Sequence, residues 1–244
     1  MTSSGESAAI RRSWRETWGP VGATVGLLIV SNIVSNRVLT GWGYVPWNAA
    51  VAAGLVTLGV RFDHLTPTEL GLAHVDLRRG LRWAATLAGF VVAAYLVAVV
   101  VPDLCDLFRD RRVGERSAAS MVAEVLVRIP LGTVLLEEVA FRGVLLGQFR
   151  RRLGTGRGLA LMAVTFGLWH VLPAWGINTV NPLVAQQDVS RPAAIAGAVV
   201  ATALAALPMG WARVRSRSLI APLGLHTATN SLGFLVAWCV IRWS

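Results

Sequence analysis

Residues 121–149 read MVAEVLVRIPLGTVLLEEVAFRGVLLGQF, and this stretch decides the fold. It is apolar enough for a bilayer, yet it carries Glu124, Arg128, Glu137, Glu138 and Arg142. One crossing takes roughly 20 residues, so the stretch is too long for a single simple span. Pro130 is expected to kink it or divide it in two, because proline has no N–H for the helical ladder. Ionisable groups at bilayer depth cost at least about 2.5 kcal/mol each, which makes them candidates for function. Glu124 with Arg128, and Glu138 with Arg142, are spaced i,i+4 and can neutralise each other on one helix face. The first pair lies near the boundary and reads as structural or solvated. Glu137 differs: at roughly 100° per residue it points away from Glu138 and about 140° from Arg142. A lone carboxylate there must be protonated, hydrated or paired with another helix.

The rest of the chain agrees with a membrane setting. Of 244 residues, 55% are hydrophobic and 15% charged, whereas soluble domains carry about 25% charged residues. Six further apolar runs qualify as spans: Trp18–Ser35, Tyr44–Val60, Trp83–Val101, Gly158–Trp175, Pro192–Trp211 and Leu219–Ile241. With Met121–Phe149 they predict an all-α polytopic transmembrane bundle of about seven spans, eight if Pro130 divides the fourth. Residues 1–244 form one membrane domain, with no internal repeat or linker. Tryptophans such as Trp18, Trp42, Trp83 and Trp211 punctuate the run ends, where amphipathic rings favour the headgroup level.

The net charge is +10, and every basic residue is arginine. The arginines cluster between apolar runs instead of forming a basic stripe, so they read as topology signals and contacts to anionic lipid, not as a nucleic-acid surface. With the N-terminus in the cytoplasm, fourteen of them fall on the cytoplasmic side, before residue 16 and in 61–82, 150–157 and 213–217. Seven fall opposite, four of those in the 103–116 connection. The bias predicts a plasma-membrane protein with a cytoplasmic N-terminus. No cleaved signal peptide is read ahead of the first run. Thr66-Pro67-Thr68-Glu69 has a capping-box pattern that starts a short interfacial helix, and Asp76 is expected to cap the third span. Cys105 and Cys239 are too far apart in sequence to suggest a disulfide framework or a zinc cluster.

The four histidines sharpen the search. His64 and His74 lie in a polar connection and read as solvated. His170 and His226 lie inside two different runs, in a chain whose fourth run carries an unpaired glutamate. That combination points to a shared site on three helices. Phe166 stands four residues before His170 and can pack on its imidazole. Asn230 stands four residues after His226, and an amide beside a histidine donor can stabilise an oxyanion. Glu137, His170 and Asn230 are each 13 residues from the nearest cytoplasmic arginine cluster, which places them at similar depth.

Three motifs carry a family resemblance: Glu137-Glu138-Val139-Ala140-Phe141-Arg142, then Phe166-Gly167-Leu168-Trp169-His170, then His226-Thr227-Ala228-Thr229-Asn230. In that order they resemble the EExxxR, FxxxH and HxxxN pattern of the CPBP family, the CAAX proteases and Abi-type bacteriocin-processing proteins, over about residues 121–233. The resemblance implies a membrane peptidase with a cavity open to the cytosol, acting on a membrane-associated or prenylated peptide. It implies that Glu137 and His170 activate a water, that His226 and Asn230 serve the oxyanion or a metal, and that Glu138 and Arg142 support the site. Zinc held by Glu137, His170 and His226 and a metal-free glutamate mechanism both remain open. A non-catalytic scaffold or bacteriocin-immunity protein is the main competing reading. A proton-coupled transporter fits less well, since the halves show no repeat symmetry.

Overall fold

The structure is a computed structural model that describes residues 3–105, 108, 113, 116–176 and 189–243, without the side chains of 3–15, 103 and 243. Arg109, Arg111 and Arg112 of the long connection, and the side chains of Arg11, Arg12 and Arg15, lie outside the described residues. Every regular element described is helical. In lipid only helices and closed barrels satisfy their own backbone groups. The elements are α1 (Ser3–Ile33), α2 (Tyr44–Phe62), α3 (Pro67–Leu70), α4 (Leu77–Val100), α5 (118–153), α6 (155–169), α7 (Arg191–Ser216) and α8 (220–243).

Among the described residues, six helical stretches are long and apolar enough to cross a membrane, the longest being Ala118–Trp169. That stretch is not one rod. Gly154 has φ 77° and ψ 173°, outside the helical region, and the chain doubles back there. Glycine reaches such angles without a Cβ penalty. The rings of Phe141 and Phe166 then face each other at 5.0 Å across the α5–α6 hairpin.

Pro130 does not divide α5. Residues Glu124–Val134 and Glu138–Leu145 wind as π-helix, with hydrogen bonds to the fifth residue back. In that register Pro130 would donate to the carbonyl of Val125, and it has no N–H to do so. The hydroxyl of Ser231 on α8 donates to that carbonyl at 2.8 Å. Serine side chains are one of the means by which membrane helices tolerate proline.

Two ends of the bundle can be told apart. At the N-terminal end Arg152 donates to the Thr17 carbonyl and pairs with Asp63 at 2.6 Å. Beside it, Thr66 and Glu69 close the predicted capping box, and Arg151 pairs with Glu69. Burial acts to raise the Glu69 carboxyl, but hydrogen bonds from Arg151, the Thr66 backbone and the Thr66 hydroxyl hold it below its ordinary value. Asp76 occupies the cap position of α4 without making a cap bond; its carboxylate instead stands 3.6 Å from Arg217. His64 and His74 are exposed here. The opposite end holds residues 35–44, Arg116 and Trp175, whose ring is flanked by Arg37 and Arg191.

Close approach of small residues holds the helices together, as expected where lipid removes the hydrophobic drive between them. A Cβ on Gly167 would stand 2.6 Å from the Val199 carbonyl, and one on Gly224 would stand 2.5 Å from the Cβ of Ala84.

Candidate active site

One cavity of about 590 Å³ is lined by Glu137 from α5, Phe166 and His170 at the end of α6, and His226 and Asn230 from α8. The side chains singled out in three separate runs therefore share one space. The fifth run stops being helical earlier than expected: α6 ends at Trp169, and His170 is its C-cap with φ −82° and ψ 1°. Residues 171–176 are turns, so His170 stands at a helix end instead of mid-span. Its Nδ1 lies 2.8 Å from the Phe166 carbonyl, a contact that leaves Nε2 as the nitrogen available to the cavity.

The two adjacent glutamates converge on one imidazole. The π-helical winding begins at Glu138, and both carboxylates meet the His226 ring from opposite sides. Nδ1 of His226 is 2.7 Å from Glu138 Oε1, and Nε2 is 3.7 Å from Glu137 Oε2. A carboxylate only accepts hydrogen bonds, so Nδ1 carries the proton in this pair. Nε2 is thereby the nitrogen turned to Glu137.

Arg142 pairs with Glu138 at 2.9 Å, and both side chains are completely buried. The guanidinium lies 4.0 Å from the centre of the Phe166 ring and 3.2 Å from the Met209 sulfur. Phe166 also packs edge-on against His170 with ring centres 4.6 Å apart. It is thus the common surface for the buried cation and the cavity imidazole. A desolvated cation over an aromatic face gains about 2 kcal/mol.

Several contributors carried no signal strong enough to be read from sequence. The indole N–H of Trp169 donates to Glu137 Oε1 at 3.0 Å, which holds the carboxylate that the sequence leaves unpaired. The Trp169 carbonyl in turn accepts from Asn32 of α1 at 2.9 Å. Asn48 of α2 accepts from Ser35 at 2.8 Å and donates to the Gly132 carbonyl at 2.6 Å. Asparagines inside apolar runs were the available clue.

The cavity also touches Ser35, Asn36, Leu39, Gly41, Tyr44 and Pro173, all from the end opposite the N-terminus. On the other side, beneath the carboxylates, Arg142, Leu145, Leu146 and Met162 are fully buried. The mouth therefore faces the 35–44 end. A zinc ion needs N and O donors about 2.0–2.2 Å from a common point. Among the described residues no group of three or more His, Cys, Asp or Glu side chains is placed to hold a metal ion. Glu137, His170 and His226 as they stand do not fit a resident zinc.

Residues 119–232 match the family described as Type II CAAX prenyl endopeptidase Rce1-like. No curated protein and no solved structure matches the chain. The matched residues contain all three motifs and nearly coincide with the region that the resemblance covers. Over those residues this integral multi-pass bundle is similar to the Type II CAAX prenyl endopeptidase Rce1-like family.

Proposed function

We propose that the protein hydrolyses a peptide bond of a membrane-associated or prenylated substrate with a water activated by Glu137 and His170. The observation that carries this reading is the meeting of Glu137, His170, His226 and Asn230 on one cavity. Glu137, oriented by Trp169, takes a proton from the water as its oxygen adds to the scissile carbonyl. The oxyanion forms toward the Asn230 amide and the His226 ring, both of which line the cavity. Glu137 then returns the proton to the leaving amine as the C–N bond breaks. Glu138 and Arg142 touch no substrate in this scheme; they fix the tautomer and plane of His226.

Substituting Glu137→Gln is expected to abolish cleavage of a farnesylated CAAX peptide while the protein still folds in the membrane. Equal cleavage by the variant would overturn the mechanism. The chemistry asks for no metal, so activity is expected to survive exhaustive chelation, and loss restored by zinc would assign the metal a role.

The arginine bias further supports a cytoplasmic N-terminus in the plasma membrane. In that orientation the mouth faces away from the cytosol, so this bias and the cytosolic mouth implied by resemblance exclude each other. A Thr40→Cys variant lacking Cys105 and Cys239 is expected to react with an impermeant maleimide on intact cells. Reaction only after permeabilisation would invert the protein and restore a cytosolic mouth.

A further inference from the structure

We propose that a second pocket, between α3 and the α5–α6 turn, binds a phosphomonoester, with Arg150 as the cation that receives it. The pocket measures about 260 Å³ and is lined by Thr68 and Glu69 of α3 and by Arg150, Arg151 and Thr155. It shares no lining residue with the candidate active site, and the proposal stands apart from the peptidase reading.

Ion pairing at this end of the bundle leaves two cations over. Arg151 takes Glu69, Arg152 takes Asp63 and Arg217 takes Asp76. Among the described residues, Arg150 and Arg213 have no carboxylate within ion-pair distance. Arg213 is 2% exposed, and its Nη2 donates to the Thr68 and Glu69 carbonyls at 3.1 and 2.8 Å. A second uncompensated guanidinium therefore stands directly behind the α3 wall of the pocket. An anion in front of that wall is attracted by both charges.

Arg150 is held ready for such an anion. Its stem is packed by α6, because a Cβ on Gly158 would stand 3.1 Å from the Arg150 Cγ. Its Nε reaches Thr155 Oγ1 only at 3.4 Å, a long bond that a stronger acceptor displaces. The planar fork matches two oxygens of a phosphate. The Thr68 and Thr155 hydroxyls on either side can donate to the remaining oxygens.

Size, charge and level select the ligand. Drug-sized molecules occupy pockets of about 300–1,000 Å³, so this smaller one suits a headgroup phosphate and not a whole nucleotide. A phosphomonoester carries about −1.5 to −2 charges at neutral pH, which matches the two free guanidiniums. The Trp18 ring lies 5.9 Å from the guanidinium carbon of neighbouring Arg152, and tryptophan rings favour the level of lipid headgroups.

Native mass spectrometry of the full-length protein tests the site with phosphatidic acid, phosphatidylcholine and inorganic phosphate. The native protein is expected to bind phosphatidic acid about tenfold more tightly than phosphatidylcholine. That preference disappears in Arg150→Gln, survives in part in Arg150→Lys, and is unchanged in Arg157→Gln, whose exposed arginine lies outside the pocket. The unfolding midpoint of Arg150→Gln without ligand is expected to equal the native one, since no ion pair is lost. Weak binding of inorganic phosphate beside tight phosphatidic acid assigns the pocket to a lipid headgroup. Equally tight inorganic phosphate, lost in Arg150→Gln, assigns it to a soluble phosphate. Equal affinity of the native protein for the two lipids, a preference that survives in Arg150→Gln, or an equal loss in Arg157→Gln would overturn the proposal.

Discussion

Oε1 of Glu138 holds Nδ1 of His226 at 2.7 Å, and the same oxygen receives Arg142 at 2.9 Å. One atom therefore ties the first motif to the third, in a place with no exposed surface on Glu138 or Arg142. Losing that carboxylate leaves a guanidinium stranded, and breaking a buried pair from one side costs about 3–5 kcal/mol. Glu138→Gln is expected to lower the thermal unfolding midpoint of the purified protein well below that of Glu137→Gln. Matching midpoints would remove Glu138 from this structural role.

Trp169 is expected to matter through its N–H, not its ring. Trp169→Phe keeps an aromatic beside Phe141, whose centre is 5.7 Å away, and removes the bond to Glu137. A hydrogen bond to a charged group is worth about 1.5–3 kcal/mol. The expected loss in kcat/KM is roughly tenfold to hundredfold, with unfolding temperature little changed. Full activity in the variant would mean that Glu137 is oriented by something else.

Ser231→Ala leaves the Val125 carbonyl without its donor inside α5. Hydrogen bonds between membrane helices average about 0.6 kcal/mol and reach about 1.7, so the stability loss is modest. Restoring an N–H by adding Pro130→Ala is expected to recover it. Additive losses in the double variant would show that the serine does not answer the proline.

The Glu69–Arg151 contact predicts a pH dependence. The folded carboxyl titrates below its ordinary value of 4.5, so its contribution is complete above that value and disappears as pH falls through the lowered one. Both side chains are about one-third exposed, which keeps the effect small. The difference in unfolding midpoint between the native protein and Arg151→Gln is expected near neutrality and to narrow in acid to what Arg151 gains from the Asp63 and His64 carbonyls. A difference that persists unchanged in acid would place the stabilisation elsewhere.

What could be read from sequence was set by cost. Glu137, His170 and His226 are expensive in lipid, so their presence in apolar runs was visible without a fold. Trp169, Asn32, Asn48 and Ser231 are cheap enough to pass as ordinary span residues, and their roles exist only once other helices supply carbonyls and carboxylates. The π-helical winding was hidden for another reason. A fixed 100° step assumes hydrogen bonds to the fourth residue back, whereas Glu138–Leu145 bond to the fifth. Pro130 carried the right warning about α5, but its consequence was a change of hydrogen-bond register and not a break.

The single-residue reversal at Gly154 makes α5 and α6 one hairpin, while His226 arrives later, on α8. A nascent chain that has inserted only the hairpin already holds Glu137 and His170 but has no imidazole for Glu138. The cavity is thus incomplete until α8 docks and supplies His226 and Asn230.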